Sequence, residues 1–318
     1  VVPGIHYDGP ADVRLDRLCR VLAHAGALVA VPFLDDAMQL RVTPRAVDQT
    51  VAAWDLLRAQ PDLPRGVRPA LFSISFGSLP AIRLAAARHH EVGNLVLFGG
   101  YADPRRTLRF CLTGEVEGRV IARDPRNHAV LFGSLLDRLE PPPRDPQRLQ
   151  AAWLAFARAT WGQPGMRDEA ATAAVARRMV ADGAVERADA ALFLAGCGVG
   201  EGSEAPVLPL LEGDVTGWMD PRDDLAQVRC PVDVVHGAQD DVIPVEEAEA
   251  LVEVARRAAA RFGQRPPRLW RTGWYGHTGQ GATTDRVAGA LREVRTLAGV
   301  LQVMASMGGV GVSPPARR

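Results

Sequence analysis

The stretch Arg68-Pro69-Ala70-Leu71-Phe72-Ser73-Ile74-Ser75-Phe76-Gly77 changes character partway along. Residues 68–74 are largely apolar and β-prone, as in a strand buried on both faces. From Gly77 to His90 the apolar positions recur at helical spacing. Ser75 sits at the junction. A serine on a sharp strand-to-helix turn projects its Oγ from the sheet edge. The residues two before and two after it must then be small, so that strand and helix can approach. Ser73 and Gly77 meet that need. The helix behind the serine aims backbone N–H groups and the positive end of its dipole at any anion formed there. Pro80 falls in the second turn of the expected helix, where it removes a hydrogen bond and predicts a kink.

Outward from this point, short β-type runs alternate with helical patterns. Val1-Val2 reads as the tail of a strand, followed by a turn at Pro3-Gly4. Residues 12–25 have helical periodicity closed by Gly26, and Ala27–Val31 reads as a strand stopped by Pro32. Thr43-Pro44 opens a helix to Ala59, and Leu95–Phe98 is a strand ending in Gly99-Gly100. Far downstream come a strand at Val232–His236, a helix at Val245–Phe262, a strand at Arg268–Arg271 and a helix at Asp285–Val303. Such alternation predicts an α/β fold with a mainly parallel sheet flanked by helices. Between residues 103 and 225 strand signals give way to successive helices (124–139, 145–161, 166–181 and 185–197), which predicts an all-helical insertion. Residues 1–102 and 226–305 are expected to form the core, 103–225 the insertion, and 306–318 a disordered tail. The chain opens without Met inside a strand pattern, which leaves room upstream for further strands or a signal peptide.

Two downstream segments give Ser75 its partners. After the strand at 232–236 comes Gly237-Ala238-Gln239-Asp240-Asp241-Val242-Ile243-Pro244, and after the strand at 268–271 comes Gly273-Trp274-Tyr275-Gly276-His277. With the serine turn, they resemble the α/β-hydrolase superfamily in its nucleophile elbow G-x-S-x-G, acid loop G-x-x-D-x-x-[VI]-P and Gly-His loop. Ser73 stands where the family has its first glycine. The order Ser75, Asp240, His277 is the triad order of that fold. The resemblance covers about 200 residues of core. It implies a cofactor-independent serine hydrolase, with Ser75 as nucleophile, His277 as base and Asp240 as acid; Asp241 is the rival acid. It also implies an oxyanion hole from the N–H groups of Phe76 and of Ile5, where Pro3 replaces the family's histidine in the strand–His–Gly segment. The insertion would then be a cap shaping a small-molecule pocket. Pocket candidates are His6 beside the oxyanion loop and Phe110, Trp153, Trp161, Trp218 and Met219 in the cap. Ester hydrolysis of a small or medium apolar substrate is the expected reaction. Acyl transfer, amide or C–C hydrolysis by the same triad, or a non-catalytic binding role, remain alternatives because fold does not set the bond cleaved.

Composition removes other classes. All 37 basic side chains are Arg, balanced by 37 acidic ones. Without Lys there is no Schiff base, no P-loop lysine and no Ser–Lys dyad. A neutral chain without a basic block gives no footprint for nucleic acid. Cys19, Cys111, Cys197 and Cys230 are scattered, as reduced structural thiols are. No cluster has metal-ligand spacing, so no metal or other cofactor is expected. No apolar run is long enough for a membrane span, and a cytoplasmic location is expected. His236 reads as a structural histidine, and Arg105, Arg106, Arg109 and Arg119 as surface cations. The oligomeric state is open.

Overall fold

The computed structural model describes residues 1–61, 63, 66–273, 275–276 and 279–280. The N-terminal part contains α1 (Val13–His24), the short α2 (Asp35–Met38) and α3 (Arg45–Arg58). There follow β1 (Ala70–Ile74), a 3-10 turn at Ser75–Gly77, α4 (Ser78–Ala87) and β2 (Asn94–Phe98). After β2 come α5 (Pro104–Thr113), β3 (Glu115–Val116), β4 (Arg119–Val120), α6 (His128–Ser134), α7 (Pro146–Thr160), α8 (Glu169–Ala181), α9 (Ala190–Gly196) and α10 (Arg222–Leu225). The chain then returns to β5 (Val232–Gly237), α11 (Val245–Phe262), β6 (Arg268–Thr272), β7 (Tyr275–Gly276) and β8 (Gly279–Gln280).

The main sheet has the order β1-β2-β5-β6, all parallel. Its strands are nearly continuous apolar runs because helices cover both faces. On one face Leu71, Leu95, Leu97, Val232 and Val234 pack with Leu79 and Ile82 of α4 and Leu251 of α11. On the other, Phe72, Val96 and Val235 meet Leu18 of α1. Helix starts follow local chemistry. Asp12, Asp103 and Asp145 each cap a helix by accepting backbone N–H bonds, from Arg14 and Leu15, from Arg106, and from Arg148 respectively. Pro104 and Pro146 occupy first-turn positions where an N–H has no intrahelical acceptor.

Several expectations change. Ala27–Val31 is not a strand. Val2 spends its ladder bonds on β1, giving its N–H to Phe72 O (2.7 Å) and taking the N–H of Ile74 (3.0 Å). The Val1 amino group donates to Ala30 O (2.6 Å) in the 27–31 run. The segment between β2 and β5 is not all helical, because β3 and β4 form a hairpin. Its turn residues Glu117 and Gly118 both have positive φ (48° and 72°), as a two-residue hairpin turn demands. The helix expected over 124–139 is broken into a 3-10 turn, α6 and a second 3-10 turn. Pro80 costs less than its sequence position suggests. Helix α4 begins at Ser78, so Pro80 lies in the first turn, where no hydrogen bond is lost. The expected helix at Asp285–Val303 and the tail at 306–318 lie outside the described residues.

Candidate active site

The site is built from the β1–α4 turn upward. Ser75 follows the last residue of β1 and has φ of 53°, a left-handed conformation in a non-glycine residue. Such a backbone costs about 1 kcal/mol or more and persists only where packing enforces it. The packing is visible at Gly77. A Cβ there would lie 2.5 Å from Pro3 O and 2.6 Å from Val2 O, so only glycine lets the Val2-Pro3 backbone pass over the turn. Ser73, in the place of the motif's first glycine, is fully buried and donates its Oγ hydrogen to Val96 O (3.2 Å) on β2. The hydroxyl is accommodated because the neighbouring strand supplies an acceptor.

Beyond Pro3 the chain presses onto the serine. A Cβ on Gly4 would meet Ser75 Cβ at 3.0 Å, Ile74 O at 3.1 Å and Ser75 Oγ at 3.6 Å. Ile5, next in sequence, and Phe76, next to the serine, line the same cavity as Ser75. Among the described residues no backbone acceptor takes the N–H of Ile5 or of Phe76 outside the regular elements.

Two strands away, β5 ends at Gly237 and the chain turns through Asp240. Parallel strands put the C-terminal ends of β1 and β5 at one edge of the sheet, about 10 Å apart across β2 at ordinary strand spacing. Asp240 is 4 % exposed. Its Oδ1 accepts the N–H groups of Val242 (2.9 Å) and Ile243 (2.8 Å), which fixes the carboxylate's orientation. Beneath it, fully buried His236 places Nε2 2.8 Å from Ile243 O and 3.7 Å from Asp240 Oδ2, a structural arrangement at the base of the loop. Asp241 points elsewhere: its Oδ2 is 3.7 Å from Arg167 and its side chain is 20 % exposed. His277 lies outside the described residues. The flanking pairs Tyr275–Gly276 and Gly279–Gln280 form the antiparallel β7–β8 ribbon, and β7 contacts β5.

Above Ser75 opens a cavity of about 360 Å³. Its walls include Ile5, Val42, Phe76, Leu108, Val130, Leu131, Trp161, Met219 and Val242, and it runs along the sheet face past Phe72, Ile74 and Phe98 to Leu15 and Leu18. Helix α5 presents Pro104, Thr107, Leu108 and Cys111 to it, the i, i+3, i+4, i+7 spacing of one helix face. That spacing explains which aromatic candidates fall away. Phe110 lies off that face of α5 and is fully buried, while Phe132, Trp153, Phe156 and Phe193 form the core of the segment between β2 and β5. Trp153 gives its indole N–H to Phe193 O (3.1 Å) and fills the space beside Gly196. Trp218 packs on the main core, whereas Met219 and Trp161 do line the cavity, as does His6. Tyr101, Val42 and Cys111 are cavity residues with no signal in the sequence, since nothing local reveals which way a loop or helix face turns.

Arg126 of the cavity wall is internally paired, whereas Thr107 Oγ1 and the Trp161 indole nitrogen are buried there without a hydrogen-bond partner among the described residues. Arg126 is buried against Asp124 and also donates to Thr160 O (3.1 Å) and Met166 O (3.0 Å). Arg106 pairs with fully buried Glu247, which also accepts from Ala102 N–H (2.8 Å) and Asp103 N–H (2.7 Å) where the chain leaves the core. Arg105, Arg109 and Arg119 bond to Gly213 O, Glu115 and Glu246, away from the cavity. Burial pushes the Cys111 thiol up to about 12, so it is protonated, and its Sγ–H donates to Val242 O (3.0 Å) in the loop after β5. Burial likewise lowers His6 from its ordinary value, against the opposing pull of Asp12. Among the described residues no group of three His, Cys, Asp or Glu is placed to hold a metal ion, and no helix is long and apolar enough to cross a membrane.

The parallel sheet flanked by helices, with a serine turn at the C-terminal end of β1 and a helical segment inserted after β2, is an α/β-hydrolase fold. No family model matches the chain, and no curated protein matches it in sequence. Solved structures similar to it include the esterase domain of a Rhodothermus marinus protein (13 % identity, TM-score 0.43, covering 93 % of this chain and 84 % of that one). Est1E from Butyrivibrio proteoclasticus has 13 % identity and TM-score 0.44, with 95 % and 86 % covered. A monoacylglycerol lipase from Paleococcus ferrophilus has 15 % identity and TM-score 0.40, with 96 % and 94 % covered. Likeness at this level assigns no role to any residue.

Proposed function

We propose that the protein is a serine hydrolase of carboxylic esters, acting through Ser75, His277 and Asp240 on substrates with an apolar acyl or alcohol group. The observation that carries this is Ser75 itself, strained at positive φ on a strand-to-helix turn and opening into an apolar cavity. A surface or structural serine has no need of that backbone.

In this mechanism Ser75 Oγ attacks the ester carbonyl carbon while His277 takes the hydroxyl proton. The carbonyl oxygen becomes an oxyanion held by the N–H groups of Phe76 and Ile5, each such donor contributing about 3 kcal/mol in the transition state. Collapse breaks the C–O bond as His277 protonates the departing alkoxide. Water, deprotonated by His277, then attacks the acyl-enzyme and releases the acid and Ser75. Asp240 orients the imidazole and stabilises its charged form. The apolar walls at Leu108, Val130, Leu131 and Met219 exclude water from the acyl group, which favours alkyl over charged substrates.

The test is labelling of the full-length protein with a fluorophosphonate, followed by turnover of p-nitrophenyl esters of increasing chain length. Labelling at Ser75, lost in Ser75→Ala, and ester turnover are expected. A folded protein that does not label refutes the proposal, and labelling without hydrolysis of any ester refutes the assignment to esters.

A further inference from the structure

The Gly4-Ile5 segment makes no backbone hydrogen bond of its own among the described residues, yet Ile5 is the proposed oxyanion donor. The Ile5 side chain packs against both hydrophobic cores, and the backbone is held from its two ends. On the upstream side Val2 is pinned to β1 by its two ladder bonds. On the downstream side the anchor is His6. The Asp8 N–H donates to His6 Nδ1 (3.3 Å), His6 Nε2 lies 3.1 Å from Asp12 Oδ2, and the Gly9 N–H donates to His6 O (3.0 Å). A backbone N–H can only donate, so Nδ1 is the accepting nitrogen. A neutral ring then carries its proton on Nε2, the nitrogen that faces the carboxylate at 3.1 Å.

Asp12 is in turn immobilised at the start of α1. Its Oδ1 accepts from Arg14 N–H (2.8 Å), Leu15 N–H (3.2 Å) and Arg14 Nε (3.1 Å), and its Oδ2 from Arg14 Nη2 (2.8 Å). The imidazole side chain is only 15 % exposed, and the Tyr7 ring (4.3 Å between centroids) and the Trp161 ring (6.0 Å) lie beside it. With Nδ1 accepting from Asp8 and Nε2 facing the Asp12 carboxylate, the ring turns both nitrogens toward the protein, although it lines the cavity.

We propose that His6 is a positioning residue for the oxyanion hole: a neutral imidazole that ties the Ile5 segment to the capped N-terminus of α1 and thereby holds the Ile5 N–H over Ser75. This rests on the serine-hydrolase reading and on Ile5 as donor. The Asp12 cap then has two duties, starting α1 and locking the tautomer of His6. Because an oxyanion forms only in the transition state, loosening this anchor lowers kcat and leaves ground-state binding in place.

The experiment compares full-length wild type, His6→Ala and His6→Asn by fluorophosphonate labelling rate, by kcat and KM on p-nitrophenyl butyrate, and by thermal midpoint. His6→Ala is expected to lower kcat by about 10- to 100-fold, the scale of an ångström-sized misplacement, with KM within twofold. Asn retains an acceptor near the Nδ1 position, so His6→Asn is expected to recover a several-fold higher kcat than His6→Ala. If His6→Ala does not fold, His6→Asn alone carries the comparison, with an expected kcat below wild type at unchanged KM. Unchanged kcat in the variants, or a rise in KM alone, overturns the proposal, the second because it makes His6 a substrate contact. A folded wild type that neither labels nor turns over ester overturns the serine-hydrolase reading itself, and with it any oxyanion for His6 to serve. A labelled, active wild type with indifferent His6 variants overturns only the role of His6.

Discussion

Replacing Gly77 with Ala perturbs the oxyanion side of the site without touching a proposed catalytic atom. The backbone at Gly77 is ordinary for Ala (φ −56°, ψ −13°), so any effect comes from the added methyl. That methyl would stand 2.5 Å from Pro3 O and 2.6 Å from Val2 O, both rigid backbone atoms, where ordinary contact begins at 3.4 Å. The Val2-Pro3 segment must therefore retreat by about 0.9 Å, or the turn at Ser75 must open by as much. Retreat strains the ladder bonds of Val2 and carries Gly4 and Ile5 away from Ser75. Loss of one oxyanion donor, or a comparable misplacement, lowers kcat by about 100-fold or more. The expected stability cost is about 1–3 kcal/mol, as for overpacking elsewhere. Gly93→Ala is the matched control. Its Cβ would lie 2.4 Å from Arg68 O, an equal clash next to the N-terminal end of β2, at the far edge of the sheet. Steady-state kinetics on p-nitrophenyl butyrate with thermal midpoints should show both variants destabilised and only Gly77→Ala slow. A folded Gly77→Ala enzyme with kcat within threefold of wild type, or equal kinetic losses in both variants, refutes the reasoning.

Other outcomes follow from the same structure. Asp240→Asn should lower kcat by about 10³-fold or more, since an amide cannot hold and charge-balance the imidazole, whereas Asp241→Asn, which removes a partly exposed partner of Arg167, should cost less than tenfold; the reverse ranking would make Asp241 the acid. Burial pushes His128 down to about 4, so the unfolded chain takes up the proton first. Its contribution is complete above pH 6.5 and is lost as pH falls toward 4, by about 2 kcal/mol at pH 5. Urea midpoints of wild type and His128→Gln should therefore converge on acidification, and parallel pH profiles would contradict this. Trp161→Ala opens the cavity wall near Tyr7 and should shift the chain-length preference toward longer esters; an unchanged preference would show that Trp161 does not limit the pocket.

Much of the core was legible because its signals are local. The apolar run before Ser75, the small residues around it, and the Asp-Pro starts of α5 and α7 each act within a few residues. The serine turn, the four parallel strands and the acid loop therefore lie close to their expected places. Where the sequence misled, the deciding interaction was distant. The 27–31 run has full strand character, yet beside Val1, which donates to Ala30 O, the next residue on that side is Pro3, which has no N–H to extend a ladder. Pro80 looked costly until the helix start moved to Ser78.

The aromatic residues of the inserted segment divide along the same line. Hydropathy marks Phe110, Trp153, Trp161, Trp218 and Met219 as equally fit for a pocket or a core, because apolar side chains gain the same burial in either place. Helix α5 settles Phe110 by turning Thr107, Leu108 and Cys111 to the cavity at Ser75 and leaving Phe110 buried outside its lining. The sequence by itself supplied the candidate nucleophile, acid and base, through three short motifs whose order resembles that of the α/β-hydrolase superfamily. Tertiary packing alone decided the pocket walls, the different surroundings of Asp240 and Asp241, and the contact between His6 and Asp12. Those depend on which surfaces meet across long sequence separations, and no local preference encodes that.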